Sequence, residues 1–243
     1  MHGNLIKVKK ILILGASSDI GFEVVKNFLN NGWSVIAHVN RGNNKITKLI
    51  KINKKKIKII KANFTKKKEV QNLIKTVSKI EINSFVNLVG YIDNKSFLKT
   101  DLNSQIKSIS INTLIPNLIK RSLISNMIKL KFGRILDVSS IGVKYGGSEF
   151  TYNYALSKHA LEFIPSFFKN LTKENILTNI LRVGVVDTKL LRKIKGKNIT
   201  QRKKLIPIKR MATAKEISNS IYDLSSDKNT YISGEIITIS GGE

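Results

Sequence analysis

The stretch ILILGASSDIGFEVV, residues 11–25, decides the fold of this chain. An apolar run of four residues, long enough for a buried strand, ends abruptly in Gly15, and the helical pattern DIGFEVVKNFLNNG follows and closes at Gly32. Between them the turn residues Gly15, Ser17, Ser18, Ile20 and Gly21 open the helix. Glycine there lets the backbone turn sharply and approach a pyrophosphate. The first turn of the helix offers that anion free N–H groups and a partial positive charge. A pair of spaced glycines is a weak signal alone and a much stronger one between the first strand and the first helix of a βαβ chain.

The rest of the chain has that alternation. WSVIAHV (33–39), KIKIIKAN (56–63), INSFVNLVG (82–90), GRILDVSS (133–140), ILTNILRVG (176–184) and EIITIS (235–240) read as strands. Helical patterns separate them at 45–52, 67–80, 103–130, 151–171 and 214–226. Strands joined by helices imply βαβ crossovers and a parallel sheet covered on both faces. The expected fold is α/β: one Rossmann-type domain over 1–243, a doubly wound parallel sheet with helices on both faces.

The chain has 243 residues, 42% of them hydrophobic, which is ample for a core. No apolar run reaches the eighteen or so residues of a membrane span, and the start reads as a first strand rather than a secretory signal. Cysteine is absent, so there is neither a disulfide framework nor a thiolate metal site, and a cytoplasmic protein is expected. The formal charge of +27 raises nucleic acid as a partner, but the 36 lysines are spread over the whole chain beside only 7 arginines. That is the mark of AT-rich codon usage. No recognition motif or aromatic–basic platform accompanies it, so neither nucleic acid nor a membrane is expected as partner.

Farther on, TYNYALSKHAL (151–161) sets Tyr154 and Lys158 one helical turn apart, after the serine pair Ser139 and Ser140. Tyr152 has no lysine four residues on. A phenol of ordinary pKa near 10 is a poor acid–base catalyst at neutral pH. A cation at 5 Å contributes roughly 3 kcal/mol at an effective dielectric of 20, about two pKa units. The lysine is therefore expected to make the tyrosine more acidic.

On these residues the chain resembles the short-chain dehydrogenases/reductases, over nearly its whole length. GASSDIG is similar to that family's Gly-x-x-x-Gly-x-Gly turn, NLVG (87–90) to its Asn-Asn-Ala-Gly strand end, VSS to its serine strand, and YALSK to its Tyr-x-x-x-Lys. The last quarter looks closest in flavour to 3-oxoacyl-carrier-protein reductases. Departures include Leu14, Asp19, Leu88, Val89 and Val183, and none removes a catalytic side chain. The resemblance implies hydride transfer from a nicotinamide to a carbonyl, with Tyr154 as proton donor and Ser140 (or its neighbour Ser139) orienting the oxygen. Lys158 would hold the nicotinamide ribose, and Asn112 a water that connects Lys158 to solvent. It also places Asn63 and Phe64 at the adenine, Asn87 and Gly90 along the dinucleotide, and Val186 and Thr188 at the carboxamide.

After the second strand, Asn40 and Arg41 stand where an acid would select NAD(H). A guanidinium matches a 2′-phosphate, so NADP(H) is favoured over NAD(H). A substrate lid is expected at 189–210, where ten basic residues and no acidic one suit an anionic or carrier-bound carbonyl substrate. Lys129 and Lys131 lie where carrier-docking residues are expected, although Glu174 occupies a second such position. Glu149, in the loop after the serines, points instead to a sugar or another small polar ketone. A non-catalytic dinucleotide sensor is the reading from a different class. The resemblance further implies a homotetramer or homodimer.

Overall fold

The structure, a computed structural model, describes residues 8–40, 46, 47, 49, 53 and 55–243. Arg41 lies outside the described residues, and the short helix expected over 45–52 lies mostly outside them. Seven strands form one sheet: β1 (Lys10–Leu14), β2 (Ser34–Val39), β3 (Ile57–Lys61), β4 (Ser84–Asn87), β5 (Gly133–Ser140), β6 (Ile176–Val183) and β7 (Ile236–Ile239). Every pairing is parallel and the order is β3-β2-β1-β4-β5-β6-β7. The helices are α1 (Asp19–Asn30), α2 (Lys67–Val77), α3 (Leu102–Ile109), α4 (Ile115–Arg121), α5 (Ile124–Leu130), α6 (Tyr152–Leu161), α7 (Ser166–Leu171), α8 (Lys189–Arg192), α9 (Ile199–Leu205) and α10 (Ala214–Ser225).

Strand β1 shows why the sheet needs two covers. Ile11 and Ile13 enter one core with Val24, Val25 and Phe28 of α1 and Ile217 and Ile221 of α10. Leu12 and Leu14 enter the other with Leu73 of α2, Ile119 of α4 and Met127 of α5. The side-chain period of two sends alternate residues to opposite layers, and all are apolar because neither face meets water. In the first core Phe28 stands edge-on to Trp33 at 5.2 Å and to Tyr222 at 4.9 Å. The order in which strands are laid down reverses between β1 and β4, which opens a crevice beyond their carboxyl ends. No described helix is long and apolar enough to cross a membrane.

Two helices expected as continuous are divided. The segment 103–130 becomes α3, a π-turn at Ser110–Leu114, α4 and α5. Asn112 sits in that π-turn, fully buried, its amide drawn to the backbone of Tyr91. The segment 151–171 stops at Leu161 and resumes at Ser166. Pro165 explains the break, since it has no N–H to donate and its ring clashes with the preceding turn.

Candidate active site

At the carboxyl end of β1 the phosphate turn is built as its glycines require. Gly15 has φ +76°. A Cβ on Gly21 would lie 2.4 Å from the Gly15 carbonyl oxygen, so a side chain there is excluded. Ser18 caps α1: its hydroxyl accepts from Gly21 N–H at 3.0 Å and donates to the Gly15 carbonyl at 2.9 Å. Asp19 reaches across the crevice and accepts the Lys189 N–H at 2.7 Å. Its carboxylate thus binds the start of α8.

His38, which the motif reading passed over, supports the same turn. The Gly15 N–H donates to His38 Nδ1 at 3.3 Å, which places the proton on Nε2, 2.9 Å from the Ala62 carbonyl. Burial lowers its pKa and favours this neutral form. The ring stacks on Phe64 at 4.6 Å.

Tyr154, Lys158 and Ser140 come together where β4, β5 and α6 meet. Ser140 stands close enough to the Tyr154 phenol to draw its pKa down, and accepts the Gly142 N–H at 3.1 Å. Ser139, its neighbour, faces away from this pair and donates to Glu162 at 2.7 Å. The alternation of a strand explains the division, since successive side chains point to opposite faces. Gly90 borders the phenol, for a Cβ there would lie 3.9 Å from the Tyr154 hydroxyl oxygen.

Lys158 is 2% exposed and donates to the Val89 carbonyl at 2.8 Å and the Val138 carbonyl at 2.6 Å. Its Nζ stands 5.9 Å from the centre of the Tyr154 ring. The expected acidification of the tyrosine is not what this geometry produces. Burial pushes the phenol up to about 12, and only Ser140 opposes it. Burial also brings Lys158 down to about 8, with Asp137 and Glu162 holding it up. Desolvation outweighs the pair attraction because the ammonium is turned toward the Val89 and Val138 carbonyls.

Behind Lys158 lies a buried ion pair. Lys120 of α4 donates to Asp137 of β5 at 2.6 Å, and their side chains are 8% and 2% exposed. The other Asp137 oxygen accepts from Asn87 at 2.9 Å, and Asn87 in turn accepts the Val89 N–H at 3.1 Å. Asn87 is thereby fully buried and engaged with the protein itself. Asn112 is similarly committed: it accepts the Tyr91 N–H at 2.7 Å and donates to the Tyr91 carbonyl at 3.0 Å and to Ser157 at 2.8 Å.

One cavity of about 1170 Å³ joins these parts. Ser17, Ser18, Ile20, Gly90, Ser140, Tyr154, Lys158, Val186 and Thr188 line it, with Glu149 and the basic segment after Thr188. Asn40, Asn63, Phe64, Asn87 and Asn112 lie outside that lining. Asn63 accepts from Thr65 in a tight turn, at 3.0 Å from its N–H and 2.9 Å from its hydroxyl. The Thr188 hydroxyl caps α8. The volume exceeds the roughly 300–1,000 Å³ of a drug-sized ligand site. Together with a glycine turn at a helix start, it fits a dinucleotide with a second molecule beside it. Within 189–210, Asn94 fixes the chain by donating to the Lys193 carbonyl and accepting the Lys195 N–H, each at 3.1 Å. Lys131 is ion-paired with Glu174, which offsets the one expected docking charge with the other.

A family model described as enoyl-(acyl carrier protein) reductase, of the short-chain dehydrogenase/reductase type, matches residues 15–243. The chain is 30% identical over 250 residues to the 3-oxoacyl-[acyl-carrier-protein] reductase FabG of Buchnera aphidicola, covering 98% of each sequence. Among solved structures, a 3-oxoacyl (acyl-carrier-protein) reductase from Agrobacterium tumefaciens with NADP bound superposes with a TM-score of 0.85 at 20% identity, covering 97% of this chain and 94% of the other. YwfH, an NADPH-dependent reductase involved in bacilysin biosynthesis, gives 0.83 at 19% identity, covering 97% and 98%. The chain belongs to the short-chain dehydrogenase/reductase family. It is accordingly an NAD(P)-dependent oxidoreductase that interconverts CH–OH and carbonyl groups.

Proposed function

We propose that the protein is an NADPH-dependent carbonyl reductase whose substrate is a 3-oxoacyl thioester, carried by acyl carrier protein or a similar anionic group. The single observation behind the reading is the placement of Ser140, Tyr154 and Lys158 on one wall of the cavity that begins at the phosphate turn. A nicotinamide dinucleotide bound along that cavity supplies the hydride. Ser17, Ser18, Ile20 and the α1 N-terminus would hold its pyrophosphate, Lys158 its ribose, and Val186 and Thr188 its carboxamide.

The chain's own work is proton handling. Tyr154 donates its phenolic proton to the carbonyl oxygen as negative charge develops there, and the Ser140 hydroxyl orients that oxygen. A phenol at about 12 keeps its proton until then. Lys158 provides the nearby positive charge as the phenolate forms, and solvent returns the proton. Val89 and Val138 hold the ammonium ready meanwhile.

Support for the thioester comes from the Buchnera relative and from the basic 189–210 segment, which contributes Lys193, Lys195, Lys197 and Arg202 to the cavity mouth. Arg41 remains the residue that favours NADPH. Exposed apolar residues on and between the helices, Leu102, Ile106, Phe163 and Phe167, support a homotetramer or homodimer. A polar ketone is the second reading, favoured by exposed Glu149 at the cavity wall. The deciding assay follows nicotinamide absorbance with NADPH or NADH, offering acetoacetyl thioesters and a panel of keto-sugars. Turnover of the thioester with NADPH supports the first reading. Turnover of keto-sugars alone replaces it with the second.

A further inference from the structure

Tyr154 and Lys158 are two members of a row of three. Glu162 follows one turn later, at the C-cap of α6 with φ −75° and ψ −1°, so the helix face continues through it. Its side chain is 6% exposed. One carboxylate oxygen accepts from Ser139 at 2.7 Å and from Arg182 Nε at 2.9 Å, and the other pairs with Arg182 Nη2. Glu162 therefore clamps β5 and β6 to α6 at the strand end that carries Ser140.

Lys158 is faced by few charged groups. On α6 they are Tyr154 and Glu162, the latter with Arg182 of β6 behind it. On β5 the group is Asp137, with Lys120 of α4 behind it. Both carboxylates have a cation partner, but the partners differ. Lys120 is buried against Asp137, whereas the Arg182 side chain is 21% exposed, so water screens it from Lys158 more effectively. Asp137 acts on the ammonium more strongly than Glu162, but Glu162 is the one of the two that shares a helix face with it.

We propose that Glu162 is a positioning residue for the reaction: fixed by Arg182 and Ser139, it keeps Lys158 an ammonium ion during catalysis and holds the Ser140 strand end in register. The inference rests on the reading of the site given above. A buried amine loses its proton readily, and a neutral Lys158 could neither stabilise a phenolate nor donate fully to a ribose. Removing a nearby negative charge moves the balance toward the neutral amine.

The test reads Lys158 itself. The whole protein is labelled competitively with acetic anhydride between about pH 6 and 10, and acetylation of Lys158 is followed by mass spectrometry. The wild-type midpoint is expected at about 8. In Glu162→Gln, which keeps the shape and the acceptor for Ser139, the midpoint falls by about one pH unit, a tenfold drop in the ratio of ammonium to amine at a given pH. Glu162→Asp restores most of that shift. Arg182→Gln, which leaves the carboxylate less neutralised, moves the midpoint upward. A general loosening of the fold would move both variants the same way. The alkaline limb of the kcat profile should follow the labelling midpoint in each variant. Unchanged midpoints in Glu162→Gln and Arg182→Gln overturn the proposal, and labelling needs no substrate, so failure of the reductase assay is a separate result.

Discussion

Asp137→Asn isolates the buried ion pair at the back of the site. The substitution preserves shape and still gives Asn87 an oxygen to donate to, at the place where the native contact is 2.9 Å. It leaves Lys120, whose side chain is 8% exposed, without its counter-charge. Stranding one member of a buried pair costs about 3–5 kcal/mol. For a chain of this size each kcal/mol moves the melting temperature by roughly 2–4 °C, so the variant should melt roughly 6–20 °C lower. Lys120→Met removes the stranded charge. The double variant Lys120→Met/Asp137→Asn should therefore melt above Asp137→Asn alone, although it carries one more change. Thermal unfolding followed by circular dichroism at one fixed pH reads all four proteins. An Asp137→Asn variant melting within about 2 °C of wild type, or single effects that simply add, would refute the reasoning.

Two further outcomes are expected. Lys158 titrates at about 8 in the folded protein against 10.5 as a free side chain, so the unfolded chain binds the extra proton between those values. Its contribution is gained as pH rises through that window and lost as pH falls. The stability of wild type relative to Lys158→Met should therefore rise by up to about 3 kcal/mol from pH 8 to 10.5, measured by urea unfolding; a flat difference contradicts the stated cause. Phe163→Ser with Phe167→Ser removes apolar rings that are 75% and 56% exposed. If they form a subunit contact, light scattering shows a smaller assembly for the variant with little change in its melting curve, and an unchanged mass removes that role.

The sheet was legible because parallel strands buried on both faces are near-continuous apolar runs, as ILIL shows. The phosphate turn was legible because Gly15 and Gly21 are fixed by backbone approach, which only glycine satisfies. The helix divisions were less so. Pro165 was visible but was read through, and the π-turn at Ser110–Leu114 depends on a contact between Asn112 and the distant Tyr91 backbone. The same limit hid His38 and Asp137, whose neighbours in space are remote in sequence. Glu162 could have been found, since it extends the four-residue spacing of Tyr154 and Lys158. The expected acid shift of Tyr154 failed because spacing along a helix gives proximity but not the direction in which a lysine points.

The most direct test of the central claim compares wild type with Tyr154→Phe in single-turnover reduction of an acetoacetyl thioester by NADPH. The phenylalanine variant should bind NADPH with an affinity close to wild type while its reduction rate falls by about 10²–10⁴-fold. A variant that reduces the thioester at the wild-type rate would show that the proton comes from elsewhere.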